Sequence, residues 1–310
     1  MREMLDIHLG FFKFVNLFIH LEELFCVCSS VCLSIGLLCY LSQGLGIYLY
    51  RHIDVLASTT HHHGIRSCTI GTNGYGVNSD TKALGYVCSH TWRNITSVVC
   101  TISKQDYNLA LCGRSEEKME QLKQELGQCR VYTECFDITD GEKRHSFCQH
   151  VKQEFGTVDV LVNNAGANTK KDKIIDINLD DLRYMFELNC VSAVGMIQEI
   201  YPLMAEKQCG LVVNILSSCC LFNNPTTGSY SATKDAMEGI SKILTKEAKA
   251  DNIGVCSVYP GGVDTNFRAK ANPNYLRPET VAKMIKNCIE VEDGCVHDIV
   301  IRPFIEDNIP

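Results

Sequence analysis

From about residue 106 onward, short apolar runs rich in β-branched residues alternate with stretches in which apolar positions recur every three or four residues. The runs at residues 108–112, 130–136, 158–162, 211–216, 253–258 and 297–302 are short and bounded by polar or glycine-containing segments. They read as strands, most of them buried on both faces of a parallel sheet. Ser115 stands as the cap of a helix with Glu116 and Glu117 in its first turn, where negative charge suits the helix dipole. Met119, Leu122 and Leu126 then follow helical spacing. Further helices are predicted over about residues 141–155, 181–206 and 230–250. Pro278 opens a last one, at a first-turn position where its missing N–H costs little. Strand alternating with helix in this manner predicts an α/β fold built on a doubly wound parallel sheet.

The polar residues that follow the strands carry the chemistry. The strand at 158–162 runs into Asn163, Asn164, Ala165 and Gly166. The strand at 211–216 ends at Ser217, and the one at 253–258 leads into Pro260, Gly261, Val263 and Thr265. Parallel strands deliver all three groups to one edge of the sheet, which is where ligands bind in open α/β folds. Thirteen residues after Ser217 comes Tyr230, and four later Lys234. On a helix this spacing puts both side chains on one face, one turn apart. An ammonium beside a phenol favours the phenolate and lowers its pKa from about 10. Such a tyrosine exchanges a proton with a substrate oxygen near neutral pH.

With Asn189 in Phe-Glu-Leu-Asn, these pieces resemble, in order and approximate spacing, the short-chain dehydrogenases/reductases over about residues 107–303. The resemblance implies a Rossmann-type sheet and an oxidoreductase that interconverts a carbonyl and a secondary alcohol with a nicotinamide cofactor. In it, Tyr230 is the acid or base, Lys234 holds the nicotinamide ribose, and Ser217 hydrogen-bonds the substrate oxygen, with Ser218 as the alternative serine. Asn189 anchors a water that links Lys234 to solvent; otherwise it is an asparagine at a helix bend. Cofactor contacts fall on Asn164, Ala165, Gly166, Tyr230, Lys234, Pro260, Gly261, Val263 and Thr265. Arg114 matches a position where a basic residue meets the 2′-phosphate, favouring NADP(H) over NAD(H); its alternative is a solvated arginine at a helix start. Asp137 matches a contact to the adenine, or else caps a strand end. Residues 266–277 match a loop that lids the substrate. Phe267, Tyr275 and Leu276 there suggest a partly apolar small molecule, although an ordinary surface loop reads equally well. A homo-oligomer is expected from the family alone.

One part of the family's pattern is not met. The family opens with a strand and Thr-Gly-x-x-x-Gly-x-Gly, whose last glycine should fall near residue 95; no glycine occurs there. Residues 94–103 are β-branched and suit a strand better than a helix. A partial echo, Thr69-Ile-Gly-Thr-Asn-Gly74-Tyr-Gly76, lies too far upstream and reads more readily as a glycine-rich turn. The strand and its glycine loop are therefore expected to be missing or replaced, which would leave two apolar strand edges open. Either the N-terminal third is an unrelated segment fused to a reductase by splicing or a mistaken gene model, or a diverged chain builds the strand from other sequence. The alternative function is a catalytically inactive protein that keeps the fold, has lost cofactor binding and serves as a membrane-tethered interaction module.

Charge and composition refine the organisation. Net charge is −7, so nothing points to nucleic acid. Residues 1–105 balance at +1 and residues 106–310 at −8, with twice the density of charges in the second part, which places a boundary near residue 105. Residues 24–50 contain no charged side chain, and about 20 apolar residues cross a bilayer. A membrane helix is one reading, a buried apolar helix or hairpin the other. Glu22 and Glu23 argue against a signal peptide, and Arg51 with His52 places the following chain on the cytoplasmic side. His61, His62 and His63 read as a polar loop, not a metal site, and Asn94-Ile-Thr96 fits a glycosylation sequon. The 18 cysteines have irregular spacing and read as reduced, buried hydrophobes.

Overall fold

The computed structural model describes residues 82–87, 97, 100, 107–127, 129–265, 272–291 and 293–307. The chain divides into two compact units, Met1–Ser67 and Cys68–Pro310, and every described residue belongs to the second. Seven parallel strands form one sheet: β1 (Lys82–Val87), β2 (Tyr107–Gly113), β3 (Val131–Cys135), β4 (Val160–Asn163), β5 (Gly210–Ile215), β6 (Ile253–Pro260) and β7 (Asp298–Ile301). Their order is β3-β2-β1-β4-β5-β6-β7. The chain runs outward from β1 to β3, returns to lay β4 beside β1, and runs outward again. The switch point between β1 and β4 is where such sheets bind ligands.

The central strand is replaced, not missing. Lys82–Val87 fills the gap between β2 and β4, with Lys82 opposite Tyr107 and Leu84 opposite Val160. This covers both strand edges that would otherwise invite aggregation. The composition break near residue 105 thus falls between β1 and β2. Periodicity did not reveal β1 because Lys82, Ala83 and Gly85 are all poor strand formers; pairing on both sides outweighs that propensity. Within the stretch 94–103, expected to be extended, only Ser97 and Cys100 are described. Ser97 and Cys100 have helical backbone, not extended. Cys100 packs against the core face that also holds the last helix, and Ser97 Oγ donates to Glu279 Oε1 at 3.0 Å. β-branching costs a helix only tenths of a kcal/mol per residue (about 0.7 at most), and the strand position beside β2 is already taken.

The α-helices among the described residues are α1 (Glu116–Leu126), α2 (Gly141–Phe155), α3 (Leu179–Phe186), α4 (Ser192–Glu206), α5 (Gly228–Glu247) and α6 (Pro278–Ile289). Ser115 caps α1 by accepting from the Lys118 amide, and Asp140 caps α2 through Lys143. The long helix expected at 181–206 is continuous from α3 to α4 through a π-helical segment, Glu187–Val191. Strand pleating sends alternate residues to opposite faces. Leu109, Leu111, Val160 and Val162 pack with Met119 and Leu122 of α1 and Val281 and Ile285 of α6. Ala110, Cys112 and Leu161 pack with Phe147 of α2, Met196 of α4 and Met237 of α5. Both faces of the sheet are therefore covered, as a parallel sheet requires. The described cysteines are all free thiols.

Among the described residues no helix is long and apolar enough to cross a membrane. The apolar run 24–50, the histidines 61–63, the glycine-rich stretch 69–76, the sequon at 94–96 and Phe267 lie outside those residues. In chain order, residues 69–76 precede β1, whereas a phosphate loop follows the first strand. Residues 88–106, which join β1 to β2, contain no glycine.

Candidate active site

The site forms at the C-terminal edge of the central strands. Val87 ends β1 opposite Asn163, which ends β4; Asn214 of β5 lies opposite Asn163 on its other side. Asn163 Nδ2 donates to Asn214 Oδ1 at 2.9 Å, and Asn214 Nδ2 donates to Ser241 Oγ of α5 at 2.9 Å. This buried polar chain locks the strand ends to the helix that carries Tyr230 and Lys234. Asn214 could have been singled out in the sequence: an amide inside an apolar strand must find a buried partner.

Asn189 sits in the π-helical segment, which bulges the helix locally. Its Oδ1 accepts from the Ala167 amide at 2.8 Å. Its Nδ2 donates to the Ala167 carbonyl at 3.0 Å and to Thr233 Oγ1 at 2.9 Å. Its side chain thus ties the loop after Gly166 to the turn of α5 that bears Lys234. Thr233 and Ala167, its partners, carry no motif that sequence reading could have found.

Lys234 is 4% exposed. Its ammonium donates to the Ile215 carbonyl at the end of β5 at 2.8 Å and stands 6.0 Å from the centroid of the Tyr230 ring. The predicted pair is therefore side by side. Burial pushes the ammonium below its ordinary pKa, while the neighbouring Cys219, Cys220 and Cys190 thiols oppose that shift. Gly166 passes close above: a Cβ there would lie 3.1 Å from Asn189 Oδ1 and 3.3 Å from Lys234 Nζ. Glycine leaves both groups in place.

Ser217 follows β5 with an extended backbone and accepts from the Cys219 amide at 3.2 Å, opening a short 3-10 turn of Ser218, Cys219 and Cys220. Ser218 lies inside that turn. The Cys219 thiol is held below its ordinary pKa. Its hydrogen bond with Cys220 is the chief cause; burial opposes it, and Ser217, Ser231 and Lys234 assist.

The remaining candidates lie along the same edge. Arg114 and Asp137 follow β2 and β3, and Arg114 Nη1 reaches Asp137 Oδ2 at 3.4 Å and Tyr184 Oη at 3.5 Å. Burial alone would raise the Asp137 carboxyl, but hydrogen bonds from Thr139 and the guanidinium of Arg114 outweigh it and hold it below the usual range. From β2 to β5 is three strand spacings, roughly 14 Å. Arg114 and Asp137 are thus set apart from Tyr230 and Lys234 along the edge. Asn164 and Ala165 are buried just past β4, and Asn164 Nδ2 has no hydrogen-bond partner among the described residues, nor has Asn163 Oδ1. Beyond β6, Pro260 and Gly261 lead to Val263, which pairs with Leu276, and to buried Thr265. Tyr275 packs over Gly262, where a Cβ would come within 2.6 Å of its ring.

The sequence pattern of the short chain dehydrogenases matches residues 96–276, more than half the chain. An uncharacterised oxidoreductase of Staphylococcus aureus (strain MW2) is 28% identical over 211 residues, covering 67% of this chain and 91% of its own. Among solved structures, an alcohol dehydrogenase from Thermococcus sibiricus complexed with 5-hydroxy-NADP superposes with a TM-score of 0.67 at 22% identity, covering 73% of this chain and 98% of its own. A short-chain dehydrogenase from Streptomyces avermitilis gives 0.64 at 25% identity, covering 71% and 89%. The chain belongs to the short-chain dehydrogenase/reductase family of oxidoreductases.

Proposed function

We propose that this chain is an NADP(H)-dependent oxidoreductase that interconverts a carbonyl and a secondary alcohol, with Tyr230 moving the proton. The observation that carries this reading is the buried Lys234 ammonium beside the Tyr230 ring, bonded to the Ile215 carbonyl two residues before Ser217. A nicotinamide bound there supplies the hydride chemistry. The residues present fit that half of a dinucleotide: Asn164 Nδ2 is a buried donor in need of an acceptor, and Gly166 leaves room for close approach to Lys234. The glycine cradle for the pyrophosphate is not among residues 88–106.

The chain's own groups divide the work. Tyr230 Oη gives its proton to the substrate oxygen in reduction and takes it back in oxidation. Lys234, fixed through Ile215, favours the phenolate and holds the ribose. Ser217 hydrogen-bonds the oxygen as negative charge develops on it. Asn189 positions Lys234 through Thr233 and the loop at Ala167.

The preference for NADP(H) rests on Arg114, an exposed cation whose contact with Asp137 is long. A phosphate dianion would compete for it through shorter, charge-assisted bonds. Arg114→Ala is expected to weaken NADPH about tenfold and to leave NADH nearly unchanged, a difference read by titrating each cofactor. A second reading, a fold that has lost dinucleotide binding and serves as an interaction module, is favoured by the glycine-free connection after β1. Incubating the purified chain with NADPH and a panel of apolar ketones and aldehydes separates the two. Loss of nicotinamide absorbance with any member supports the oxidoreductase; none with the whole panel supports the module.

A further inference from the structure

After β7 the chain folds back onto the sheet edge, and two charged residues there make contacts that no motif announces. Glu306 Oε1 accepts the Gly262 amide at 2.6 Å, in the turn that follows β6. Glu306 Oε2 accepts from Arg302 Nε at 2.9 Å. The Arg302 guanidinium in turn lies 4.1 Å from the centroid of Phe222, in the loop that follows Ser217. The side chains of Arg302 and Glu306 are only 13% and 20% exposed, so water does little to weaken their pairing. The fit is close: a Cβ on Gly261 would run into the Glu306 carboxylate and Pro303. The turn is also held by backbone, with the Gly261 amide donating to the Ile301 carbonyl at 2.8 Å.

One ion pair therefore links two loops: the Glu306 carboxylate holds the Gly261–Gly262 turn, and the Arg302 guanidinium lies against Phe222. The Gly261–Gly262 turn leads to Val263 and Thr265 on the cofactor side. Phe222 belongs to the segment between Ser217 and Tyr230 on the substrate side. We propose that Glu306 is a positioning residue that, through Arg302 and Phe222, couples the order of the substrate-side loop to that of the cofactor-side turn. The naming of those sides rests on the dinucleotide reading above; the coupling itself does not.

Amide hydrogen exchange on the full chain tests it. Two probes are already protected in the fold: the Gly262 amide on Glu306, and the Phe222 amide, which donates to the Ser218 carbonyl at 2.9 Å. Glu306→Ala removes both contacts of the carboxylate and is expected to speed exchange at Gly262 and at Phe222 about tenfold each, with β4 and β5 unchanged. Glu306→Gln keeps an acceptor for Gly262 but turns an amide toward Arg302. Exchange is then expected to quicken at Phe222 and to stay slow at Gly262, a split that general destabilisation would not produce. Unaltered exchange at Phe222 in both variants overturns the proposal. In the same samples NADPH is expected to bind Glu306→Ala about tenfold more weakly than the wild type. A wild type that binds no NADPH sinks the dinucleotide reading, and the exchange data still decide the coupling.

Discussion

Replacing Tyr230 with phenylalanine is expected to remove turnover while leaving the cofactor site standing. The change deletes one hydroxyl. The ring remains on α5 beside Lys234, whose ammonium keeps its bond to the Ile215 carbonyl. What disappears is the hydroxyl proposed to pass the proton to the substrate oxygen, and positioned acid–base catalysis contributes about 10²–10⁴-fold. The kcat on the most active carbonyl of the panel should fall by that range, and the NADPH dissociation constant should change by less than about threefold. Equal turnover in the two proteins would remove Tyr230 from the mechanism.

Lys234→Met should separate function from stability. Burying an ammonium at 4% exposure is costly, and an apolar side chain of similar length avoids that cost. Against this, the Ile215 carbonyl loses its donor, worth about 1 kcal/mol. Stability should therefore stay within about 1 kcal/mol of the wild type by denaturant titration. Turnover should fall by about 10³, since in the proposed mechanism Lys234 supplies the charge beside the phenolate and the anchor for the ribose. The pH dependence gives a further signature. Burial holds the lysine below its ordinary pKa, so the unfolded chain binds that proton more tightly than the folded one. Stability then gains with rising pH between the folded and unfolded pKa, and that contribution is lost in the variant. A variant that unfolds outright would contradict this account of Lys234.

The parts of the fold that were legible in the sequence are those where local pattern and tertiary role agree. Val160 to Val162 and Leu211 to Val213 are buried on both faces, so their apolar runs announce central strands. Ser115 and Pro278 sit at helix starts where each satisfies or avoids an orphan amide. The positions of the candidate groups were legible for a related reason: strand ends and helical spacing fix where Ser217, Tyr230 and Lys234 emerge. β1 was not legible, because Lys82 and Gly85 argue against a strand and only the pairing with β2 and β4 makes one. Nor was the helical backbone at Ser97 and Cys100, where β-branched neighbours suggest extension and packing decides otherwise. The contacts of Asn189 with Ala167 and Thr233, and of Glu306 with Gly262, join residues 22 to 44 positions apart. No local pattern encodes such bonds; they exist only once the chain has folded.

Dinucleotide binding without a glycine loop is measured most directly by a fluorescence titration of the purified chain with NADPH. The predicted result is a saturable enhancement of nicotinamide emission that weakens in Lys234→Met. Emission indistinguishable from free NADPH at every protein concentration would contradict it.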